Sequence, residues 1–331
     1  MAIFFNEFEL QTLQNFTTTH LNTPNYQFNK NTASPTEKYG YYLHKASNNS
    51  SKGINDLAKY YLEIDNFKRS YEIFKITFDR NDIYAYYYIG TFYMKGLKQD
   101  DEVILHCNTD RAFKYVKKAA LRGLGAAQCR MGTFFEKGIG CVQNIFAAKD
   151  WYQKATEHNH PNDYAMCMLG EFYETGKGGL PIDYQRAYDC YLQAESYEYS
   201  WATYKIALMY KEGHFFEKDL YLAREKLEQA RQQGSRMAKY EIGTWYEFGI
   251  DHNDYHIEID IEQALKYYYE CVEGVNLNEI YRMDEESNFA CYRIAVIKEN
   301  NGEDYINWYK RAAYFGNWDA LEWCNENQVE Q

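Results

Sequence analysis

His252 and His256 stand four residues apart, with Asp251 and Asp254 beside them. On a helix that spacing would put two imidazoles on one face with carboxylates at hand, a donor set suited to a transition metal. The segment reads instead as a loop, and no third strong ligand follows at fixed spacing. Asp251, Asp254, Glu258 and Asp260 are therefore assigned to an acidic rim, and no metal site is expected. His158 and His160 precede Pro161 where one structural unit should turn into the next, which suits capping or solvent exposure. There is no G-x-S-x-G, no phosphate-cradling glycine loop and no H-E-x-x-H. Carboxylate pairs abound, but 48 Asp and Glu against 36 Lys and Arg make them uninformative. No catalytic residue and no cofactor is assigned, and enzyme is the least favoured class.

The eight cysteines contain no C-x-x-C. Cys129, Cys167, Cys190 and Cys271 fall where a repeating pattern otherwise places apolar residues. They are read as small buried hydrophobes in a reducing compartment.

That pattern is what must position every side chain. Seven times an alanine is followed two residues later by Tyr or Cys and four residues later by an aliphatic residue. The copies begin at Ala58, Ala85, Ala127, Ala165, Ala202, Ala238 and Ala290. A small residue, Gly90, Gly132, Gly170, Ala207, Gly243 or Ala295, comes next in all but the first copy. A second signature follows, as in Ala148-Trp151-Tyr152-Ala155 and Ala187-Cys190-Tyr191-Ala194, with the i, i+3, i+4, i+7 spacing of one helical face. Gly96, Gly138, Gly176, Gly213 or Gly249 lies between the two signatures, where a helix should stop. Each unit is thus helix A, turn, helix B, and units of this size stack because one pair cannot bury its apolar face alone.

The pattern resembles the Sel-1-like repeat family, relatives of tetratricopeptide repeats. The best matches are A127-x-C-x-M-G-x-x-F-x-x-G138 with A148-x-x-W-Y-x-x-A155, and A165-x-C-x-L-G-x-x-Y-x-x-G176 with A187-x-x-C-Y-x-x-A194. About seven copies span residues 54–315. The resemblance implies an all-α fold, a right-handed α-solenoid of stacked antiparallel helix pairs that binds or scaffolds other proteins and has no catalytic residues. Some relatives bridge helices by disulfides, but that would need paired cysteines within one copy, here only Cys129 with Cys141 or Cys167 with Cys190.

Residues 1–53 read as an N-terminal cap: a helix over 5–16, a polar loop, and a half-repeat helix over 35–47 with Ser34 as N-cap and Pro35 in its first turn. Residues 316–331 read as a capping helix and tail. Residues 97–108 and 250–259 lengthen two A-to-B turns, and 272–285 separates the last two copies. Such insertions collect on one rim of a solenoid and can meet a partner.

A formal charge of −12 argues against nucleic acid. The first residues have no basic n-region, and no segment approaches a membrane span, so a cytoplasmic location without membrane contact is expected, specialised export aside. Counting from the A-helix alanine, offsets +3 and +7 are expected to face a concave groove. They give Tyr88 and Phe92, Arg130 and Phe134, Met168 and Phe172, Lys205 and Met209, Glu241 and Trp245. The competing reading packs the +7 side chains between adjacent A helices. Tyr, Trp and Arg are the residues that dominate interface centres. The leading function is an adaptor holding a partner protein, a peptide segment or a globular and possibly basic one, in this groove. The alternative is an acidic inhibitor or immunity-type protein that neutralises a toxin or enzyme by tight binding, motivated by the acidic run 247–262. Self-association is left open.

Overall fold

The computed structural model describes residues 5–21, 28–99, 102–157, 162–253, 255–273 and 285–329. Two compact units divide the chain, Met1–Ala165 and Met166–Gln331. The division falls inside the stretch 54–315 expected as one solenoid. Repeats touch only their neighbours, so a stack can divide wherever local packing thins.

The first unit opens with α1 (Glu7–Phe16), a π-turn (Thr17–Leu21) and α2 (Pro35–Ser47). Three antiparallel pairs follow: α3 (Ser51–Glu63) with α4 (Phe67–Asp79), α5 (Ile83–Lys95) with α6 (Thr109–Leu121), and α7 (Gly125–Lys137) with α8 (Ile145–Thr156). Helix α9 (Asp163–Thr175) carries the boundary and pairs with α10 (Tyr184–Glu195). The second unit continues with α11 (Ser200–Glu212) and α12 (Leu220–Gln232), then α13 (Arg236–Phe248) and α14 (Ile261–Val272). It ends with α15 (Glu285–Asn300), α16 (Ile306–Tyr314) and α17 (Trp318–Glu326). Odd-numbered helices from α3 are the A helices and even-numbered ones the B helices.

Each B helix from α6 to α14 starts on an Asn or Asp four residues before its first stripe alanine. The side chains of Asn108, Asn144, Asp183, Asp219 and Asp260 accept the backbone N–H three residues on. Their own N–H groups donate to the carbonyls of Tyr93, Phe135, Tyr173, Tyr210 and Tyr246 near the end of the preceding A helix, at 2.8–3.0 Å. One residue thus caps helix B and ties it to helix A, and each cap contributes about 1 kcal/mol.

The two lengthened turns are antiparallel β-hairpins rather than loops. Strands β1 (Leu97–Gln99) and β2 (Glu102–Leu105) form one, and β3 (Ile250–His252) and β4 (Tyr255–Ile257) the other. The stop glycines reflect the difference. Gly138 and Gly213 adopt the left-handed helical conformation, φ 70° and ψ 31°, φ 75° and ψ 32°. Gly96 and Gly249 keep a positive φ but have ψ of 178° and 166°, which sends the chain into the hairpin. That region is essentially reserved for glycine.

The stripe alanines of the B helices, Ala112 to Ala119 through Ala223 to Ala230, have no exposed surface. Between them a large B-helix side chain lies directly on the A-helix backbone. A Cβ added to Gly132 would sit 2.5 Å from the Tyr152 ring, and one on Gly170 2.5 Å from the Tyr191 ring. On Gly243 it would stand 2.6 Å from Tyr268.

Helix α1 is anchored on the first repeat by Glu9, which is fully buried. Asn6 and Glu9 form a reciprocal capping box. Tyr61 donates its phenol proton to Glu9, and Arg69 donates to both its oxygens at 2.9 and 2.6 Å. The carboxylate is buried with its charge paired and its lone pairs occupied, as burial of an ion requires. Ser34 caps α2, whose Leu43 and Ala46 enter the core.

All eight cysteines are free, and Cys129, Cys167, Cys271, Cys291 and Cys324 are buried. Burial pushes the Cys129 and Cys291 thiols up to about 12 and Cys190 up to about 11, so these three stay protonated at neutral pH.

The glycine–tyrosine contact makes a direct prediction. Gly170→Ala should cost about 1–3 kcal/mol by overpacking. Combining it with Tyr191→Leu should destabilise by clearly less than the two single changes added, as urea denaturation of the four proteins would measure. Simple additivity would mean that the ring and the glycine are not coupled.

Candidate functional site

The A-helix register decides which of the sequence candidates meet solvent. An α-helix turns about 100° per residue, so offset +7 falls about 20° short of two turns and shares the face of the buried alanine. Phe92, Phe134, Phe172, Met209 and Trp245 are accordingly buried. They pack the core and do not line a groove. Met168, at +3, is buried as well. Its expected place on a binding surface is corrected in the same way.

The other +3 residues behave differently in the two units. In the second unit, offset +3 of one A helix meets offset +9 of the preceding one. Lys205 of α11 pairs with Glu174 of α9 at 2.7 Å, and Glu241 of α13 with Lys211 of α11 at 2.8 Å. Arg293 of α15 donates through Nε to Glu247 of α13 at 3.0 Å, and its second nitrogen contacts the other carboxylate oxygen. The sign order reverses once, at Lys211, and its partner reverses with it. Trp245 donates Nε1–H to Glu241 at 2.9 Å, and Trp201 donates to Glu171 at 2.9 Å. Burial lowers the Lys211 ammonium, but the Glu241 carboxylate more than offsets this and leaves its pKa raised.

The same +9 carboxylates serve a second bond. The phenols of Tyr152, Tyr191, Tyr268 and Tyr309 donate to Glu136, Glu174, Glu247 and Glu299 at 2.8, 2.7, 2.6 and 2.6 Å. Burial above all holds each phenol's pKa high, so it stays a donor. Where +9 is Lys211, which cannot accept, the B-helix tyrosine is replaced by Leu227. The sequence signal for this pairing, Glu at +9 wherever the B helix carries Tyr four residues after its first stripe position, escaped a reading based on apolar periodicity.

In the first unit the row is open. Tyr88 of α5 is half-buried and stacked on Phe74 with ring centres 4.4 Å apart. Its neighbour Tyr84 is exposed, and Lys59 of α3 stands 4.7 Å from the Tyr84 ring centre and 5.9 Å from that of Tyr88. Arg130 of α7 is partly exposed, with no hydrogen bond or ion pair among the described residues. Burial raises the Tyr88 phenol to about 12, so it too remains a neutral donor. This aromatic and cationic row can stack on, and donate to, a partner's side chains and carbonyls.

The acidic rim is smaller than expected. Asp260 is the N-cap of α14, and Glu247 is buried against Arg293. Asp251 and Glu258 are exposed, while Asp254 lies outside the described residues. His256 Nδ1 lies 3.7 Å from Asp251 across the hairpin, whose extended strands cannot give the helical i, i+4 geometry a metal would use. Among the described residues no three His, Cys, Asp or Glu groups converge as a metal site. His158 and His160 also lie outside the described residues.

Stacked helix pairs with a side-chain row on the A helices define a helical-repeat protein. The chain belongs to the Sel1 repeat family. The family model described as Sel1 repeat matches residues 83–124, 125–160, 163–196, 202–235 and 236–270, over half of the chain. These are copies two to six of the sequence pattern, and the flanking pairs α3–α4 and α15–α16 carry its weaker copies. Proteins of this family are generally protein-interaction modules built on a non-enzymatic fold.

Chitin synthase regulatory factor 3 of Schizosaccharomyces pombe is 30% identical over 149 residues, 44% of this chain and 16% of that protein. A chitin synthase regulator of Malassezia restricta is 33% identical over 89 residues, 27% of this chain and 6% of that one. This chain therefore aligns with a small part of the relatives it matches. A Sel1 repeat protein from Oxalobacter formigenes has a TM-score of 0.58 at 23% identity, covering 83% of this chain and all of its own. A protective antigen of uropathogenic Escherichia coli with this fold has a TM-score of 0.54 at 21% identity, over 85% of this chain and 57% of its own. These structures establish the fold. No helix among the described residues is long and apolar enough to cross a membrane.

Glu171 gives a test of how costly the paired charges are. Burial raises its carboxyl pKa, against the opposing pull of Trp201 and Lys205. A carboxyl raised on folding stabilises while protonated, and that contribution is lost as pH rises through its folded pKa. Glu171→Gln should therefore raise the melting temperature at pH 7, with the gain shrinking as pH falls through the raised pKa and gone below the ordinary carboxyl value of 4.5. A lower melting temperature at pH 7 would show that the ionised form is the one the fold needs.

Proposed function

We infer that this chain is a non-catalytic docking protein whose partner-binding surface is the open A-helix row of the first unit. The observation that carries the reading is the contrast between the two units. Lys205, Glu241 and Arg293 are each committed to an ion pair on the neighbouring A helix, whereas Arg130 has none among the described residues. A partner meeting the second row must first replace those bonds, at about 1.5–3 kcal/mol for each hydrogen bond to a charged group. A partner meeting Tyr84, Tyr88, Lys59 and Arg130 displaces mainly water.

The row is aromatic and cationic, so it favours a protein segment with carboxylates or backbone carbonyls beside an apolar side chain. This differs from the basic partner that net charge alone suggests. The relatives named as chitin synthase regulators carry related sequence, which supports control of another protein by contact; the enzyme they regulate is not transferred to this chain. The acidic-inhibitor reading loses support, because Glu247 and Asp260 of its acidic run serve the fold.

A photo-crosslinking amino acid placed at position 130 should trap a discrete adduct from the native cell extract. The same group at Leu222, an exposed position on α12, should not trap it. Arg130→Glu should weaken capture of the identified partner at least tenfold, with helicity and melting temperature unchanged. Equal adducts at both positions, or full binding by Arg130→Glu, would remove the first-unit row as the docking surface.

A further inference from the structure

A second surface lies on the B helices of the second unit. We propose that the groove between α12 and α14 receives an extended polypeptide segment carrying a lysine or arginine side chain. The groove has a volume of about 670 Å³ and lies along one face of α12 from Tyr221 to Gln232, with Tyr267 of α14 as its other wall.

Its lining has the balance of donors and acceptors that a peptide backbone needs. Arg224 is held over the rings of Tyr246 and Tyr267, at 5.4 and 5.8 Å, and donates one nitrogen to the Tyr267 hydroxyl at 3.4 Å. Its other terminal nitrogen is buried and has no partner among the described residues. Glu228 gives one oxygen to Arg231 at 2.5 and 2.8 Å, and its second oxygen is likewise buried and unpartnered. A buried donor and a buried acceptor one helical turn apart cost free energy until they are satisfied. A backbone C=O and N–H supply both at once, after a small side-chain movement. The amides of Gln229 and Gln232 line the same face.

Length and charge narrow the occupant. Eleven residues of α-helix rise about 16 Å, the span of roughly five residues of extended chain. Arg231 is engaged by Glu228 and Glu270, Arg224 and Lys266 stand against the Tyr267 ring, and the exposed carboxylate of Glu225 has no hydrogen bond or ion pair among the described residues. Tyr221, 61% exposed and braced edge-on by Tyr255 of the hairpin at 4.7 Å, presents a ring beside it. Carboxylate and aromatic face together favour a cationic side chain. The hairpin thereby braces the ring at the Tyr221 end of the groove.

The test uses the full chain and labelled, acetylated pentapeptides built from Gly, Ala, Ser, Leu and Tyr around a central Arg, Lys, Gln or Glu. Fluorescence polarisation should show Arg- and Lys-centred peptides binding at least tenfold more tightly than Gln- or Glu-centred ones. Glu225→Lys, and more mildly Glu225→Gln, should lower that binding, while Arg130→Glu leaves it intact. The Glu225 side chain is exposed, so both variants should keep wild-type helicity. Three results would each overturn the proposal: no pentapeptide binding, equal binding by Glu225→Lys, or competition by free arginine as effective as by peptide.

Discussion

A tyrosine ring pressed onto a glycine of the neighbouring helix, with its hydroxyl bonded to a glutamate one turn further on, is the contact from which the repeat is built. The ring can approach because Gly132, Gly170 and Gly243 have no Cβ. Its hydroxyl can be buried because Glu136, Glu174 and Glu247 accept its proton. Neither half works alone. Removing the glycine leaves no room for the ring, and removing the acceptor leaves a buried phenol unsatisfied. Where Lys211 takes the acceptor's place, the ring becomes Leu227 and the glycine becomes Ala207, so all three positions change together. The last pair shows a looser version, with Tyr309 bonded to Glu299 beside Ala295.

This unit also decides the electrostatics of the A-helix row. The glutamates that accept from tyrosine in the second unit lie within reach of the next A helix, and Lys205 and Arg293 occupy that reach. A carboxylate sheltered from water is costly unless paired, and at Glu174 and Glu247 the next A helix supplies the cation. The first unit lacks this demand at α5, where offset +9 is Met94 and the B-helix partner of Gly90 is Val116. Met94 calls for no cation on the following helix, and Arg130 there is partly exposed with no ion pair among the described residues.

Much of this was legible in the residues, and the exceptions have physical causes. The alanine stripes and stop glycines located the helix pairs because apolar periodicity and positive φ are properties of single positions. The Asn or Asp four residues before Ala112, Ala148, Ala187, Ala223 and Ala264 repeats just as faithfully, yet its role depends on a carbonyl some nine to fifteen residues upstream. The hairpins escaped because Ile250-Asp251-His252 and Tyr255-His256-Ile257 are too short for strand alternation to stand out from an acidic loop. The candidate site failed where helix geometry was misjudged: +7 returns to the buried face, taking Phe134 and Trp245 with it. It failed at Lys205 and Glu241 for another reason, since an ion pair between helices thirty or more residues apart leaves no local trace.

The acidity of the chain has a different meaning once these bonds are counted. Net charge describes the field far from the surface, where it steers encounters and weakens within about 10 Å at ordinary salt. At contact distance the individual groups decide, and here the carboxylates are unevenly committed. Glu9, Glu174, Glu241 and Glu247 are paired within the fold, and Asp183, Asp219 and Asp260 cap helices. Many of the negative charges that set the total are thus unavailable to a partner. Among the described residues, an arginine without an ion pair on the first unit then stands out against that background, and a glutamate without one beside a tyrosine on the second does so with the opposite sign. Two surfaces of opposite local charge on one repeat protein can select chemically different segments, which a single acidic face could not do.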